Sequence, residues 1–340
     1  MRKILYWFCL SLIAGSVTAQ INESVLQSAA AIDSSSVGEL RFELDNVNFF
    51  KDDEFAGGFQ KGYTLPGFWI QPKLVYFPLK NIKVELGAHL LHYWGAKKYP
   101  CYAYHDIAKW SGSQYLKGFH ALPWFRAQVD FSRRFSLVLG DIYGAANHQL
   151  IEPLYNPEMN LMADPEAGVQ LLYNSSRFFL DVWVNWQSFI FREDTHQEAF
   201  IIGLSSKINL NDPSAKVNVY LPVQLMAQHR GGEIDTIYTN SVQTLMNGAL
   251  GLGAVWNTGH SLVNKVGIEA DAAFSYQQAG HLWPFDTGWG TYLRMYADCR
   301  RLRVKAAYWQ CKKFVSLTGS PFYNAISMQD EGTVFHSPKM

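Results

Sequence analysis

The sequence predicts an all-β, antiparallel transmembrane β-barrel of about 14 strands, with short periplasmic turns and long extracellular loops. Three observations carry that expectation: apolar and polar side chains alternate with a period of two, the alternating segments exceed ordinary soluble strands in length, and their connections are short and long by turns. An export signal supplies the route to the membrane.

That signal comes first. Arg2 and Lys3 precede an apolar run from Ile4 to Ile13, and small residues end at Val17-Thr18-Ala19, the layout of a secretory signal peptide spanning 1–19. The run is too short to cross a bilayer, which takes roughly 20 apolar residues. Residues 20–38, QINESVLQSAAAIDSSSVG, are rich in Ala and Ser and read as a flexible periplasmic leader or a small plug. The remainder, 39–340, is assigned to the barrel.

Composition narrows the class. The 340 residues hold 29 basic and 29 acidic side chains; cleavage removes Arg2 and Lys3 and no acid, leaving a net charge of about −2. Nucleic-acid binding, which needs a strongly basic face, is excluded. Cys101, Cys299 and Cys311 are too few for a disulfide scaffold. Aromatic residues make up 15% of the chain while mean hydropathy stays at −0.09, the combination a barrel with a polar interior and aromatic girdles requires.

In the stretch IKVELGAHLLHYWG, Ile82, Val84, Leu86, Ala88, Leu90, His92 and Trp94 share one face, and Lys83, Glu85, Gly87, His89, Leu91 and Tyr93 the other. Similar segments occupy about 39–48, 65–77, 82–94, 119–131, 135–143, 166–173, 178–189, 198–210, 216–228, 244–256, 262–276, 288–299 and 302–313. Many run to ~9–13 residues, against ~5–6 for soluble strands and ~9–11 for membrane strands. A soluble sandwich would also bury one face of each strand, but it does not call for this length, these one-sided loops or an export signal.

Short connections lie at 78–81, 132–134, 174–177, 211–215, 257–261 and 300–301. Long ones occupy about 49–64, 95–118, 144–165, 190–197, 229–243 and 277–287. Thirteen strands starting in the periplasm would end outside, whereas bacterial single-chain barrels have an even number. A fourteenth is therefore expected in 314–340, where only GTVFH (332–336) is extended; either that strand is short and irregular or the chain is a truncated product.

With Trp- and Tyr-rich strands and a QINES mature start, the chain resembles the porin-like outer-membrane proteins of Gram-negative, Bacteroidetes-type bacteria. The resemblance implies a fold and a location in the outer membrane, and carries over no functional residue. The 22-stranded transporters with plug domains do not fit the length.

His89 and His92, three apart, would share a face of a helix but take opposite faces of a strand, so they are not a metal pair. His105, His120, His148, His196, His229 and His281 also sit in or beside long loops, together with Glu193, Asp194, Glu198, Glu233 and Asp235. A solvated polar rim accounts for them more simply than a metal or sugar site; no metal and no cofactor is expected.

Lumen-lining candidates are Lys83, Glu85, His89, Arg126, Asp130, Asp181, Asn185, Lys207, Gln224, Lys265, Glu269, Asp271, Arg294, Asp298, Arg303 and Lys305. Loop 144–165, stiffened by Pro153, Pro157 and Pro165, is a candidate constriction loop through Glu152, Glu158 and Asp164. With Arg300-Arg301 as a turn, Cys299 should lie opposite Leu302 and Cys311 opposite Gly290, too far apart for a disulfide.

The function expected from these residues is a porin-like channel or small-solute uptake protein, not an enzyme. Its partners would be outer-membrane lipid and a small polar solute or sugar. The first alternative is a closed barrel serving as a surface interaction or assembly component. An outer-membrane hydrolase comes third: the adjacent pair His260-Ser261 lies in a periplasmic turn, and Asp106 beside His105 or Asp194 near His196 only mimics an Asp–His site.

Overall fold

The computed structural model describes residues 26–28, 30–54, 58, 62–94, 119–190, 197–232, 242–300, 302–327, 333–335 and 338. Thirteen strands form one sheet: β1 (Leu40–Asp53), β2 (Tyr63–Leu79), β3 (Ile82–Tyr93), β4 (Phe119–Ser132), β5 (Phe135–Asp141), β6 (Ala167–Asn174), β7 (Phe178–Ser188), β8 (Ala199–Asn209), β9 (Val217–Arg230), β10 (Gln243–Asn257), β11 (Lys265–Ala279), β12 (Thr287–Cys299) and β13 (Leu302–Lys312). Each pairs antiparallel with its sequence neighbours, so the sheet is a meander.

The alternation explains the two faces. On β3, Leu86 is 54% exposed while Glu85 and His89 are buried; on β11, Ile268 and Phe274 face out and Glu269, Asp271 and Ser275 face in. An outer surface carrying so many exposed Leu, Phe, Trp and Val side chains suits hydrocarbon rather than water. The tight turns are held locally: Ser132 Oγ accepts from the Phe135 amide at 3.1 Å, Asp212 Oδ1 accepts from the Ser214 amide at 2.8 Å, and Arg300 takes the left-handed conformation (φ 52°) that a two-residue turn demands.

The inner face encloses a core. Leu91, Trp183, Ile201, Met226, Leu245, Tyr292 and Trp309, from seven strands, pack in one cluster with Ile151, Leu154, Met159 and Met162 of the connection between β5 and β6. That connection includes a 3-10 turn (Ala145–His148) and one short helix, α1 (Met159–Met162). Its Pro-stiffened apolar residues find no other place to hide from water, and they fill the space the sheet wraps around.

The expected fourteenth strand is not found among the described residues: the sheet has 13 strands. Beyond β13 the chain turns into the interior, where Phe314, Val315 and Leu317 are at most 1% exposed. A membrane strand would have shown every second residue to lipid, whereas this segment has no lipid-facing set to offer. It is stitched instead to the β5–β6 connection and to the wall. Ser316 Oγ donates to Pro153 O at 2.6 Å, Asn156 N to Thr318 O at 2.8 Å, and Leu317 N to Asn247 Oδ1 at 2.6 Å. Among the described residues, 333–335 of the GTVFH stretch contribute an isolated bridge between Ile326 and Val334.

Consequently β1 and β13 are both edges, and no pairing between them occurs among the described residues. Near the outer end the β13 edge is engaged by Cys311 N donating to Pro338 O at 3.1 Å. The cysteine register is as expected, with Cys299 opposite Leu302, Cys311 opposite Gly290, and both thiols free.

Candidate functional site

The outer half of the inner wall carries the arrangement best suited to chemistry. β4 begins Phe119-His120, and alternation turns His120 inward, where its Nδ1 lies 2.6 Å from Asp164 Oδ1. Asp164 comes two residues after α1, whose Met159, Leu161 and Met162 are anchored in the core. The extended backbone at Ala163 (φ −86°, ψ 152°) then carries the carboxylate to the histidine. A carboxylate on one ring nitrogen fixes the ring's tautomer and orientation, the preparation a general base needs.

His89 faces inward on the neighbouring strand β3. The register pairs His89 with Leu122 and Leu91 with His120, so the two histidines are diagonal neighbours on one face. His89 Nδ1 lies 2.8 Å from Gln71 Nε2, Trp69 stands with its ring centre 5.9 Å away, and Nε2 is buried without a hydrogen-bond partner. With the Gln71 amide nitrogen toward the ring, Nδ1 accepts and Nε2 carries the proton; a half-turn of the amide exchanges these roles. Trp69, Gln71, His89, Arg126, Asp164 and Glu166 line a cavity of about 150 Å³. It is large enough to admit a few ordered waters beside His89.

A second histidine cluster underlies the cavity. His148 places Nδ1 2.7 Å from Asp181 Oδ2 and Nε2 3.2 Å from Glu166 Oε2, and stacks on Trp183 at 3.6 Å. Glu166 Oε1 also accepts from Ala145 N at 2.8 Å, and Gln170 donates to Asp181 at 2.9 Å. Burial disfavours the charged ring, yet Glu166 and Asp181 together outweigh it and raise His148 to about 9. Burial likewise pushes the Glu166 carboxyl up, and the His148 charge and hydrogen bonds hold it below its usual range. An imidazolium with both nitrogens engaged is a clamp and not a base, so His148 fastens the β5–β6 connection to β7. The sequence had suggested His148 at the outer rim; it is 1% exposed in the interior.

The other candidates fall into separate networks. Lys83 lies 2.9 Å from Glu85 and donates to Tyr143 at 2.8 Å, and Arg126 donates to Asp141 O and Ile142 O. Asp130 accepts from Gln128 at 2.8 Å, Asn185 accepts from Ala167 N at 3.2 Å, and Gln224 bonds Ile151 and Gln149. Glu269 pairs with Arg294 at 2.9 Å and with Tyr220 at 2.5 Å, while neither oxygen of buried Asp271 has a hydrogen-bond partner among the described residues. Lys207, Lys265, Asp298, Arg303 and Lys305 lie toward the ends of their strands that lead into the short turns. Of the loop carboxylates, Glu152 accepts from Tyr323 at 2.7 Å and Glu158 pairs with Lys51, whereas Asp164 holds His120. His105, Asp106, Cys101, Glu193, Asp194, His196, Glu233 and Asp235 lie outside the described residues.

One pair escaped the sequence reading. His229 and Thr244 face each other across β9 and β10 near the outer end, with Nδ1 2.9 Å from Oγ1, on the side opposite the buried Gln228 and Leu245. Nothing short of the strand register brings residues 229 and 244 together, although each stands beside the same long loop.

Three comparisons with known proteins complete the description. A family model described as Lipid A 3'-O-deacylase-type matches residues 32–340. No curated protein matches the chain. Among solved structures, a loop-deletion mutant of OmpT, an outer-membrane protein of Vibrio cholerae, is similar with a TM-score of 0.34 at 10% identity, over 81% of this chain and 94% of that one. OprD from Pseudomonas aeruginosa gives 0.31 at 9%, over 84% and 91%.

The family match overturns two expectations, that the protein is not an enzyme and that it is a porin-like channel. The interior agrees with the correction, since the β5–β6 connection and the segment after β13 fill the space a solute would cross. A small polar solute or sugar partner is unsupported; outer-membrane lipid remains.

Proposed function

The chain belongs to the Lipid A 3'-O-deacylase-type family, and from that premise we propose that it is an outer-membrane hydrolase cleaving a fatty-acyl ester of lipid A. The family's setting puts the chain in the outer membrane. The observation that carries the reading to a site is the 2.6 Å contact between His120 and Asp164 at the outer end of the wall.

In this reading Asp164 holds His120 by Nδ1, and Nε2 takes a proton from water as the oxygen attacks the ester carbonyl. The tetrahedral oxyanion needs a donor, and His89 in its Nε2–H form is the nearest candidate in register. Collapse expels the sugar or hydroxyacyl oxygen, which recovers the proton from His120. Water is consumed, and a fatty acid and a free hydroxyl are released. General-base help of this kind contributes roughly 10²–10⁴-fold.

The experiment incubates the purified protein with lipid A in mixed micelles and reads acyl loss by mass spectrometry. His120→Ala should lower kcat by about 10²-fold or more, and Asp164→Asn by a similar order. Full activity in His120→Ala sinks this site. A second reading has Thr244 as nucleophile and His229 as base, favoured by their place on the outward face, where outer-leaflet esters lie. Thr244→Val would then abolish turnover while Thr244→Ser keeps it.

A further inference from the structure

The periplasmic half of the interior holds a cavity of about 300 Å³, larger than the one beside His89. Lys207 of β8, Arg294 of β12, and Arg303 and Lys305 of β13 line it, against Glu269 of β11 and Glu152 of the β5–β6 connection, which roofs it. The lining carries four cations and two carboxylates, and Asp298, which pairs with Arg303, brings the local net charge to about +1.

The carboxylates are already committed. Glu269 accepts from Arg294 Nε at 2.9 Å and from Tyr220 at 2.5 Å, and Glu152 accepts from Tyr323 at 2.7 Å. Arg303 is occupied by Asp298, its Nη2 donating at 2.8 Å. Lys207 has no such partner among the described residues: its ammonium sits 3.8 Å over the Tyr220 ring, which neutralises nothing. Lys305 stands opposite Tyr296 in register, again with no carboxylate in salt-bridge range among the described residues. Ser205, Ser206 and Tyr296 add hydroxyl donors. Lys207, half-buried, and Lys305, exposed at the β13 edge, have no ion pair among the described residues and can attract an anion that enters.

From this we infer that the periplasmic cavity binds a phosphate-bearing anion between Lys207 and Lys305. Two sources share that chemistry. Free phosphate or pyrophosphate could enter from the periplasm, and a glycerophospholipid headgroup could enter sideways between β1 and β13, whose lower halves are unpaired and exposed from Leu40 to Leu44 and from Leu302 to Tyr308. The site is separate from the His120 site, so its failure leaves the hydrolase reading standing.

The test uses the full-length protein refolded in zwitterionic detergent, with heat-modifiable gel mobility as the check of folding. Calorimetric titration with sodium pyrophosphate probes the free anion; native mass spectrometry from phosphatidylglycerol-containing nanodiscs probes the headgroup. Saturable pyrophosphate binding weakened at least about tenfold by Lys207→Gln/Lys305→Gln, and unchanged by Lys216→Gln, supports a free-phosphate site. Retained phosphatidylglycerol lost in the same double variant supports the headgroup. Should the double variant fail to fold, Lys305→Gln alone, on an exposed residue, gives the readout. Absence of both ligands, or binding that these variants leave within twofold, overturns the inference.

Discussion

Replacing His148 by Phe keeps an aromatic ring against Trp183 and removes the charge between Glu166 and Asp181. The folded protein raises His148 from its ordinary 6.5 to about 9, and at about 1.4 kcal/mol per unit this linkage is on the order of 3 kcal/mol. Because the folded value is raised, that stabilisation is fully present below pH 6.5 and disappears as pH climbs through about 9. Leaving two buried carboxylates without their cation costs a similar amount, roughly 3–5 kcal/mol. The affected unit is the β5–β6 connection, since His148 ties it to β7. Hydrogen exchange of amides in 145–165, normalised to intrinsic rates at each pH, should show protection about a hundredfold lower in His148→Phe at pH 6.5. In the wild type it should fall from pH 6.5 toward 10, and in the variant it should not. Adding Glu166→Gln and Asp181→Asn should recover much of the loss. A change under threefold at pH 6.5, or the same pH profile in both proteins, would refute the clamp.

Three further outcomes are expected. In planar bilayers the protein should be electrically silent, and deletion of 314–340, which removes buried Phe314, Val315 and Leu317, should open conductance; a conducting wild type would contradict a filled interior. Gly203→Ala would place a Cβ 2.1 Å from the Trp183 indole, displacing the ring that His148 stacks on; a loss of about 1–3 kcal/mol is expected, read as a lowered denaturant midpoint. In a Cys101→Ser background, Cys299 should react with a thiol reagent in the folded protein and buried Cys311 only on unfolding, and the two should never bridge, being held roughly 30 Å apart along β13.

Much of the wall could be read in the sequence because its signals are local. The two-residue period fixes which side chains face out, and short turns such as Arg300-Arg301 fix register two residues away. That is why the partners of Cys299 and Cys311 came out right. The count of 14 failed because it extended a rule about closed barrels to a segment that has no alternation. Lipid-facing positions must be apolar one by one, so they leave a periodic trace. Interior positions need only be compatible with whatever they meet, and that leaves none.

The site belongs to this second kind. His120 and Asp164 are 44 residues apart, and His148 and Asp181 are 33 apart. Nothing in the spacing announces either contact, because each exists only once α1 and its flanks have entered the space the sheet encloses. Alone, the sequence determined an exported, strand-built wall with an apolar exterior, since backbone pairing and hydrocarbon contact act residue by residue. Only the tertiary structure decided that the interior is filled and which carboxylate meets which histidine, because those contacts join distant segments whose meeting depends on the shape of the whole enclosure.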